Sequence, residues 1–254
     1  MNKTVVVKGL MIGKGIPKIC VPIVGKTVEE LIKEVRELST IDIDVVEWRV
    51  DFFEHVADVA KVKDALEDIR LVIPNTPLLF TFRSAREGGE KEISTEDYVE
   101  LNRAIAKTGN VDFIDVELFC GDEVVQTLIQ WAHDHHVFVI ISNHDFVKTP
   151  PKEEIIRRLR KAQELGGDIL KIAVMPNETR DVLTLLDATL TMNEQYADRP
   201  IITMSMAGRG VISRLSGEIF GSAITFGAAK KASAPGQVAV TELKSVLTLL
   251  NKSL

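Results

Sequence analysis

Residues 137–145 have the sequence VFVIISNHD, residues 153–165 have EEIIRRLRKAQEL, and residues 169–174 have ILKIAV. The first and third stretches are short runs rich in β-branched apolar residues, typical of strands buried on both faces. In the middle stretch, apolar residues recur at spacings of three and four, as on one face of a helix. The three stretches therefore predict a β-α-β unit with two parallel strands.

The same alternation of an apolar run and an amphipathic stretch occurs along most of the chain. The apolar runs are Ile19–Val24, Val45–Val50, Leu78–Phe82, Phe113–Leu118, Val137–Ser142, Ile169–Val174, Ile201–Ser205 and Ala223–Phe226. No Pro/Gly/Ser-rich linker interrupts them. Eight such units predict an α/β fold of the (β/α)8 TIM-barrel type, with residues 1–254 as a single catalytic domain. An open, doubly wound sheet is the alternative.

The residues before the first unit predict a small β-hairpin. Thr4–Ile12 would form its strands, with Gly13, Lys14 and Gly15 as turn residues, and we expect it to close the bottom, the N-terminal mouth, of the barrel. The two glycines do not indicate a nucleotide site, because no G-x-G-x-x-G or G-x-x-x-x-G-K-[ST] pattern joins a strand to a helix.

Composition narrows the class of partner. The 254 residues include 45% hydrophobic and 27% charged residues, and the net charge is −6. An acidic chain argues against nucleic acid and anionic membranes, which usually require a basic patch, and leaves a small molecule as the expected ligand. Signal-peptide and membrane-spanning patterns are absent, and Cys20 and Cys120 lie in or beside apolar runs, so we expect free thiols and a cytoplasmic protein.

Lys171 is the most informative residue, because it interrupts an otherwise apolar strand. In a barrel, polar residues toward the C-terminal ends of strands carry the chemistry. Burial removes hydration from the lysine and favours the neutral amine, which is a nucleophile. The alternative is a structural lysine whose ammonium reaches solvent, but a closed barrel offers no sheet edge for it.

His144 follows the apolar part of the neighbouring strand, where it could transfer protons for a lysine nucleophile. Glu87, in the loop after the third strand, could fix the tautomer of the histidine. A nucleophilic amine, a proton carrier and an orienting carboxylate form a consistent catalytic set. By itself, His144 would equally fit a loop histidine with a structural hydrogen bond.

The remaining candidates are positioned to bind an anionic, hydroxylated ligand. Glu47 and Arg49 point to the same side of the second strand, because side chains alternate along a strand. Arg49, Arg83 and Arg214 either pair with barrel carboxylates such as Glu47 and Glu117 or form a site for a substrate carboxylate. Ser233 and Gln237 lie in the loop after the last strand, where Ser233 would cap a helix, bind the ligand, or do both.

The segment from His133 to His136 resembles a metal-binding cluster, but it lies at the end of a helix, just before a strand. That position is on the opposite face of the barrel from the other candidates. Histidines at a helix C-terminus also interact favourably with the helix dipole. We therefore expect neither a metal nor an organic cofactor.

Six motifs together resemble one known family. They are Glu47-Trp-Arg49, Phe80–Arg83 with Glu87-Gly-Gly, Ser142–Phe146, Lys171–Met175, Ile212–Arg214 and Ser233–Gln237. Over essentially its whole length, the chain resembles the type I 3-dehydroquinate dehydratases of the shikimate pathway.

The resemblance implies a Schiff base on Lys171, proton transfer by His144 and support of the histidine by Glu87. It also implies substrate contacts from Glu47, Arg49, Arg83, Arg214, Ser233 and Gln237, and we expect a homodimer. One position departs from the family: some relatives have a substrate-contacting serine where this chain has Pro22.

Two other functions remain open at this stage. A class I aldolase also uses a barrel lysine, but many aldolase substrates require a glycine-rich phosphate site, for which the loop at Ser233 is poorly suited. A non-catalytic binding protein would use Lys171 only to pair with a carboxylate ligand. Turnover of a phosphorylated sugar would favour the first, and a permanently ion-paired lysine the second.

Overall fold

A computed structural model describes residues 3–229 and 235–254 of the chain. A small antiparallel hairpin, β1 (Val5–Val7) and β2 (Leu10–Ile12), precedes the main sheet. The barrel strands are β3 (Lys18–Ile23), β4 (Val45–Arg49), β5 (Leu78–Thr81), β6 (Phe113–Glu117), β7 (Phe138–Asp145), β8 (Ile169–Val174), β9 (Ile201–Ser205) and β10 (Ile224–Ala228). A short strand, β11 (Val238–Ala239), pairs with β10.

The eight strands form a closed ring. Each strand from β3 to β8 pairs in parallel with the next, and β10 pairs with β3. The ring closes between β9 and β10, where Ile201 forms a bridge with Ser222 and its carbonyl accepts a hydrogen bond of 2.8 Å from the Ala223 amide. The TIM-barrel prediction is therefore confirmed, and the open-sheet alternative is wrong.

Helices cover the outside of the ring. They are α1 (Val28–Leu38), α2 (Val59–Val72), α3 (Thr95–Ala106), α4 (Asp122–Asp134), α5 (Lys152–Glu164), α6 (Thr179–Thr191), α7 (Val211–Leu215), α8 (Gly217–Phe220) and α9 (Val240–Asn251). Side chains of Thr27, Asp58 and Ser94 accept backbone N–H groups at the starts of α1, α2 and α3. Such caps satisfy amides that have no partner within the helix. None of the helices in residues 3–229 and 235–254 has the length and hydrophobicity of a membrane-spanning segment.

Strand alternation divides the core into two layers. Val46 and Trp48 of β4 belong to the apolar layer between the sheet and the helices, whereas Val45 belongs to the interior of the ring. Glu47 and Arg49, on the same side as Val45, line the pocket at the C-terminal end. The predicted orientation of this strand is confirmed.

The hairpin lies at the N-terminal end of the barrel, as predicted. Val5, Val7 and Ile12 are buried in the same cluster as the residues that fill the N-terminal end of the barrel interior. Its turn, however, is at Lys8 and Gly9, both with positive φ, as a two-residue type I′ turn requires. The prediction that residues 13–15 form the turn was wrong, because the glycines there follow β2 and lead into β3.

Candidate active site

Lys171 lies in the middle of β8 and is 5% exposed. Its Nζ atom is 3.3 Å from Asp115 Oδ2 and 3.7 Å from Glu47 Oε1. The same atom lies 4.6 Å from the centre of the Phe226 ring. The lysine is therefore buried as expected, but two carboxylates and an aromatic face surround it rather than an entirely apolar wall. The amine thus lies within ion-pair distance of two carboxylates and within cation–π distance of one ring.

His144 is in β7, which continues to Asp145, and not just beyond the strand. It is paired in register with Ala173, two residues after Lys171 in β8. Its Nδ1 atom is 2.9 Å from Glu87 Oε2. Burial, together with the positive charges of Arg83 and Lys171, holds the pKa of His144 well below its usual value. A neutral ring that donates Nδ1–H to Glu87 leaves Nε2 unprotonated, as a base requires.

Glu87 supports this histidine through both of its carboxyl oxygens. Its Oε2 atom also accepts the backbone N–H of His144 at 2.9 Å, and Oε1 accepts Asn143 Nδ2 at 3.2 Å. Burial raises the pKa of Glu87 to about 8, although the nearby Arg83 opposes the rise. The carboxyl group is therefore close to a change of charge near neutral pH.

The loop that carries Glu87 requires glycine at position 88. Gly88 has a φ of +83°, and a Cβ atom there would lie 2.3 Å from the ring of Phe146. A side chain at this position would strain the backbone and push the ring away. Gly88 thus lets the loop pack against the residue that follows the end of β7.

Arg83 joins the third and fourth barrel strands through buried charges. Its guanidinium lies 2.7 Å from Asp115 Oδ1 and 2.9 Å from Glu117 Oε1, and it donates to Ser142 Oγ at 3.0 Å. Burial raises the pKa of Asp115, but the charges of Arg83 and Lys171 outweigh it, so the pKa lies below its usual value. Arg83 therefore pairs with barrel carboxylates, as the structural alternative expects, and it also lines the pocket, where it could contact a ligand.

Asp115 is the main residue that the sequence analysis missed. It is fully buried and contacts both Arg83 and Lys171. The signal was present, because an acidic residue interrupts an apolar strand there, just as Lys171 does in β8. The barrel carboxylates selected from the sequence are Glu47 and Glu117, and Asp115 is not among them.

The other two arginines differ sharply from each other. Arg49 forms a two-point ion pair with Asp51, with both N–O distances 2.8 Å. Arg214, on α7, is 1% exposed and contacts the carbonyl oxygen of Pro235 and, at 3.6 Å, the sulfur of Met204. Burial lowers the pKa of Arg214 to about 10. Within residues 3–229 and 235–254, no carboxylate lies within ion-pair distance of it.

One pocket at the C-terminal end of the barrel brings eight of the nine predicted residues together. They are Glu47, Arg49, Arg83, Glu87, His144, Lys171, Arg214 and Gln237. The ninth, Ser233, lies outside the described residues. Apolar side chains that the sequence analysis did not select complete the lining: Phe146, Ala173, Met204, Met206 and Phe226. Pro22 lies opposite Glu47 in the β3–β4 register and lines a separate groove beside α1.

The histidine segment before β7 is at the other end of the barrel. His133 pairs with Asp168 at 2.9 Å, and His135 contacts the carbonyl oxygen of Trp131 at 2.8 Å. Across the described residues, no group of three or more His, Cys, Asp or Glu side chains is arranged to hold a metal ion. Cys20 and Cys120 are free thiols.

Comparison with known proteins decides the family. The family model of type I 3-dehydroquinase matches residues 19–253. The chain belongs to the type I 3-dehydroquinase family. It is thus a hydro-lyase, an enzyme that removes water from its substrate.

Individual relatives agree over the full length. The chain is 63% identical, over 254 residues and 100% of both chains, to the 3-dehydroquinate dehydratase of Bacillus licheniformis. It is 64% identical over 252 residues to that of Listeria welshimeri, covering 99% of each chain. The crystal structure of the type I 3-dehydroquinate dehydratase of Clostridium difficile is 60% identical and superimposes with a TM-score of 0.98 over 100% of both chains.

Proposed function

We propose that this type I 3-dehydroquinase converts 3-dehydroquinate to 3-dehydroshikimate, in the shikimate pathway, through a covalent imine on Lys171. One observation carries the proposal: a buried lysine, a neutral histidine and a buried arginine that lacks a carboxylate partner among the described residues line the same pocket. These are a nucleophile, a base and an anion-binding group for a carboxylated ketone. The C. difficile structure contains covalently modified comenic acid, which supports covalent chemistry in this family.

The carboxylates beside Lys171 fit an imine mechanism. A protonated amine and a ketone combine to give a protonated imine and water, so the single positive charge at Nζ is preserved. Asp115 and Glu47, which neutralise the ammonium, would therefore neutralise the iminium as well. For the attack itself the ammonium must lose a proton, which returns when the carbinolamine expels water.

The iminium withdraws electrons from the neighbouring carbon and makes the C2 proton acidic. His144 takes that proton through Nε2, and the electron pair of the broken C–H bond forms an enamine. The enamine expels the C1 hydroxyl, which leaves as water with the proton from His144. Water then hydrolyses the imine and releases the product from Lys171, so one molecule of water is lost overall.

Glu87 would act through the histidine. When His144 becomes an imidazolium, the carboxylate 2.9 Å from Nδ1 stabilises the new charge and keeps the ring in the same orientation. The same contact keeps the proton on Nδ1 in the resting state, so that Nε2 stays free for the substrate.

Arg214 is our assignment for the substrate carboxylate. A buried guanidinium with no carboxylate partner among the described residues is costly, and an anionic ligand would supply the missing charge. Gln237, which lines the same pocket, would assist. Ser233, which lies outside the described residues, would be a further contact to the ligand. Glu47, Arg49 and Arg83 would bind the ring hydroxyls, although the ion pairs of both arginines also give them a structural role.

We further propose that residues 1–254 act as a single catalytic domain, in the cytoplasm and as a homodimer. Sedimentation equilibrium tests the last point, because a monomeric mass for the active enzyme would contradict it.

Replacement of Lys171 by methionine tests the mechanism, since methionine keeps the length and apolar stem but has no amine. We expect loss of dehydration by at least about 10³-fold in a folded protein. Lys161→Met is the control, because Lys161 pairs with Asp122 at the surface. If Lys171→Met and Lys161→Met are equally active, Lys171 is not the nucleophile.

A further inference from the structure

Arg158 is connected to the proposed catalytic histidine by a chain of hydrogen bonds from outside the pocket. From α5, its Nη1 atom donates to Asn143 Oδ1 at 2.9 Å. The amide nitrogen of Asn143 donates to Glu87 Oε1 at 3.2 Å, and Glu87 Oε2 accepts Nδ1–H of His144. The guanidinium thus lies three hydrogen bonds from the imidazole.

Arg158 determines which group donates and which accepts in this series of hydrogen bonds. A guanidinium has donors only, so the group of Asn143 that faces it must be the amide oxygen. The NH2 group of Asn143 then necessarily faces Glu87. The two orientations of the amide have nearly the same shape. Without Arg158, the orientation of Asn143 would therefore follow the protonation state of Glu87 instead of favouring one state.

The orientation of Asn143 matters because it determines what Glu87 Oε1 faces. The other oxygen, Oε2, already faces the backbone N–H of His144, which is always a donor. With the NH2 group at Oε1, both oxygens face donors, which favours an ionised carboxylate. With the amide reversed, Oε1 would face an oxygen, and a proton on Glu87 would be required to bridge them.

We propose that Arg158 and Asn143 are positioning residues that favour the ionised form of Glu87, the acceptor for Nδ1–H of His144. This inference rests on the proposed roles of His144 and Glu87. It adds a contact from the outer helical layer to the residues of the pocket.

Other contacts hold Arg158 in place. Its Nε atom donates to Glu154 at 2.7 Å, Nη1 lies 3.6 Å from Asp145, and the side chain is 16% exposed. The guanidinium also lies 5.5 Å from the centre of the Phe119 ring. Because these contacts come from α5, β7 and the segment after β6, the arginine has a fixed position from which to orient Asn143.

The charge on Glu87 is sensitive to such a contact. The titratable and charged groups that act on Glu87 and His144 are Arg49 on β4, Arg83 after β5, Asp115 and Glu117 on β6, Cys120 after β6, and Lys171 on β8. Burial is the main cause that raises the pKa of Glu87, to about 8, and the hydrogen bond from Asn143 partly opposes that rise. One hydrogen bond to a charged group therefore changes the ionised fraction substantially near neutral pH.

The test compares two adjacent arginines of α5 that both bind Glu154. Arg158→Met removes the donor to Asn143. Arg157→Met removes an arginine that is 62% exposed and whose side-chain hydrogen bonds, among the described residues, go to Glu154. For Arg158→Met we expect kcat to fall about tenfold with little change in KM, because substrate contacts are retained. The rise of activity with pH should shift upward by about one pH unit.

Arg158→Lys keeps a donor and should recover part of the activity and of the pH profile. Arg157→Met should match the wild type in both. If Arg158→Met has the same kcat and pH profile as Arg157→Met, the inference is wrong.

A direct titration separates this inference from the proposed function. Carboxyl 13C NMR of Glu87 should show its midpoint about one pH unit higher in Arg158→Met than in Arg157→Met, regardless of turnover. In the wild type, the side-chain NH2 signals of Asn143 should follow the Glu87 titration. This measurement tests the inference even if Arg158→Met does not fold. NH2 signals that do not respond would contradict the inference, whereas absence of dehydration in the wild type would contradict only the proposed function.

Discussion

The two ends of the barrel interior are built from the same strands but have opposite chemistry. At the N-terminal end, the inward side chains are Val45, Leu79, Phe113, Ile140 and Ile169, and the hairpin covers them. Two residues further along the same strands, the inward side chains are Glu47, Thr81, Asp115, Ser142 and Lys171, all of them buried. A step of two residues, about 7 Å along a strand, therefore separates an apolar core from a layer of polar and charged side chains.

This contrast separates stability from function. Burial of the apolar layer at the N-terminal end, the lower layer, stabilises the fold. In the polar layer at the C-terminal end, the upper layer, each buried charge has a desolvation cost that its partners only partly offset. Asp115 has Arg83 and Lys171 as partners, but Arg214 has no carboxylate partner among the described residues. Substitutions in the lower layer should thus reduce stability, and substitutions in the upper layer should reduce activity.

His144→Ala should produce the largest effect among these predictions. Dehydration should fall by at least about 10²-fold, because the C2 proton has lost its base. Lys171 still attacks the ketone, so the imine should accumulate. Intact-mass measurement after mixing with 3-dehydroquinate should show a species heavier by the substrate minus water.

The matched control is His133→Ala at the N-terminal end of the barrel, where the histidine pairs with Asp168. It should keep wild-type turnover. Near-normal turnover in a folded His144→Ala protein would remove the histidine from the mechanism and make Glu87 or Glu47 the candidate base.

Arg214→Ala should have the next largest effect. Catalytic efficiency, kcat/KM, should fall about 10- to 100-fold, since the substrate carboxylate loses its charged donor. Urea denaturation should show little loss of stability, because the variant also removes the cost of a buried charge. A large loss of stability with unchanged kcat/KM in the remaining folded enzyme would show that Arg214 is structural.

Much of the barrel and most of the pocket could be predicted from the sequence, because both follow from local patterns. Apolar runs located the strands, and the interruption of one run by Lys171 identified the site. The pairing of Arg83 with Asp115 could not be predicted, because it depends on which side chains meet on neighbouring strands. Arg49, by contrast, pairs with Asp51, only two residues away.

Local turn geometry was also beyond prediction. The hairpin turns at Lys8, which has a φ of +46°, although non-glycine residues rarely adopt this conformation. Gly13 and Gly15 are more typical turn residues, because glycine adopts a positive φ without strain. Asp115, by contrast, was detectable, since it interrupts an apolar strand just as Lys171 does.

A substitution at the apolar end should affect stability alone. Ile12 of the hairpin is fully buried against the lower barrel, so Ile12→Ala should lower the free energy of unfolding by about 2–5 kcal/mol. Turnover per folded molecule should be unchanged. Urea denaturation gives the first quantity and active-site titration the second, and a fall in kcat of the folded enzyme would contradict the separation of the two ends.

Chelation should have the smallest effect. We expect full activity after exhaustive treatment with EDTA, because the iminium would provide the electron withdrawal that a metal ion otherwise supplies. Loss of activity that a divalent cation restores would refute this expectation and require a metal in the mechanism.

Reduction with borohydride tests the central claim, the imine on Lys171, most directly. Treatment of the enzyme with 3-dehydroquinate and borohydride should inactivate it and leave a stable secondary amine. Peptide mass spectrometry should find the added mass on the peptide that contains Lys171, and Lys171→Met should acquire none. Absence of an adduct, or an adduct on a different lysine, would contradict the account.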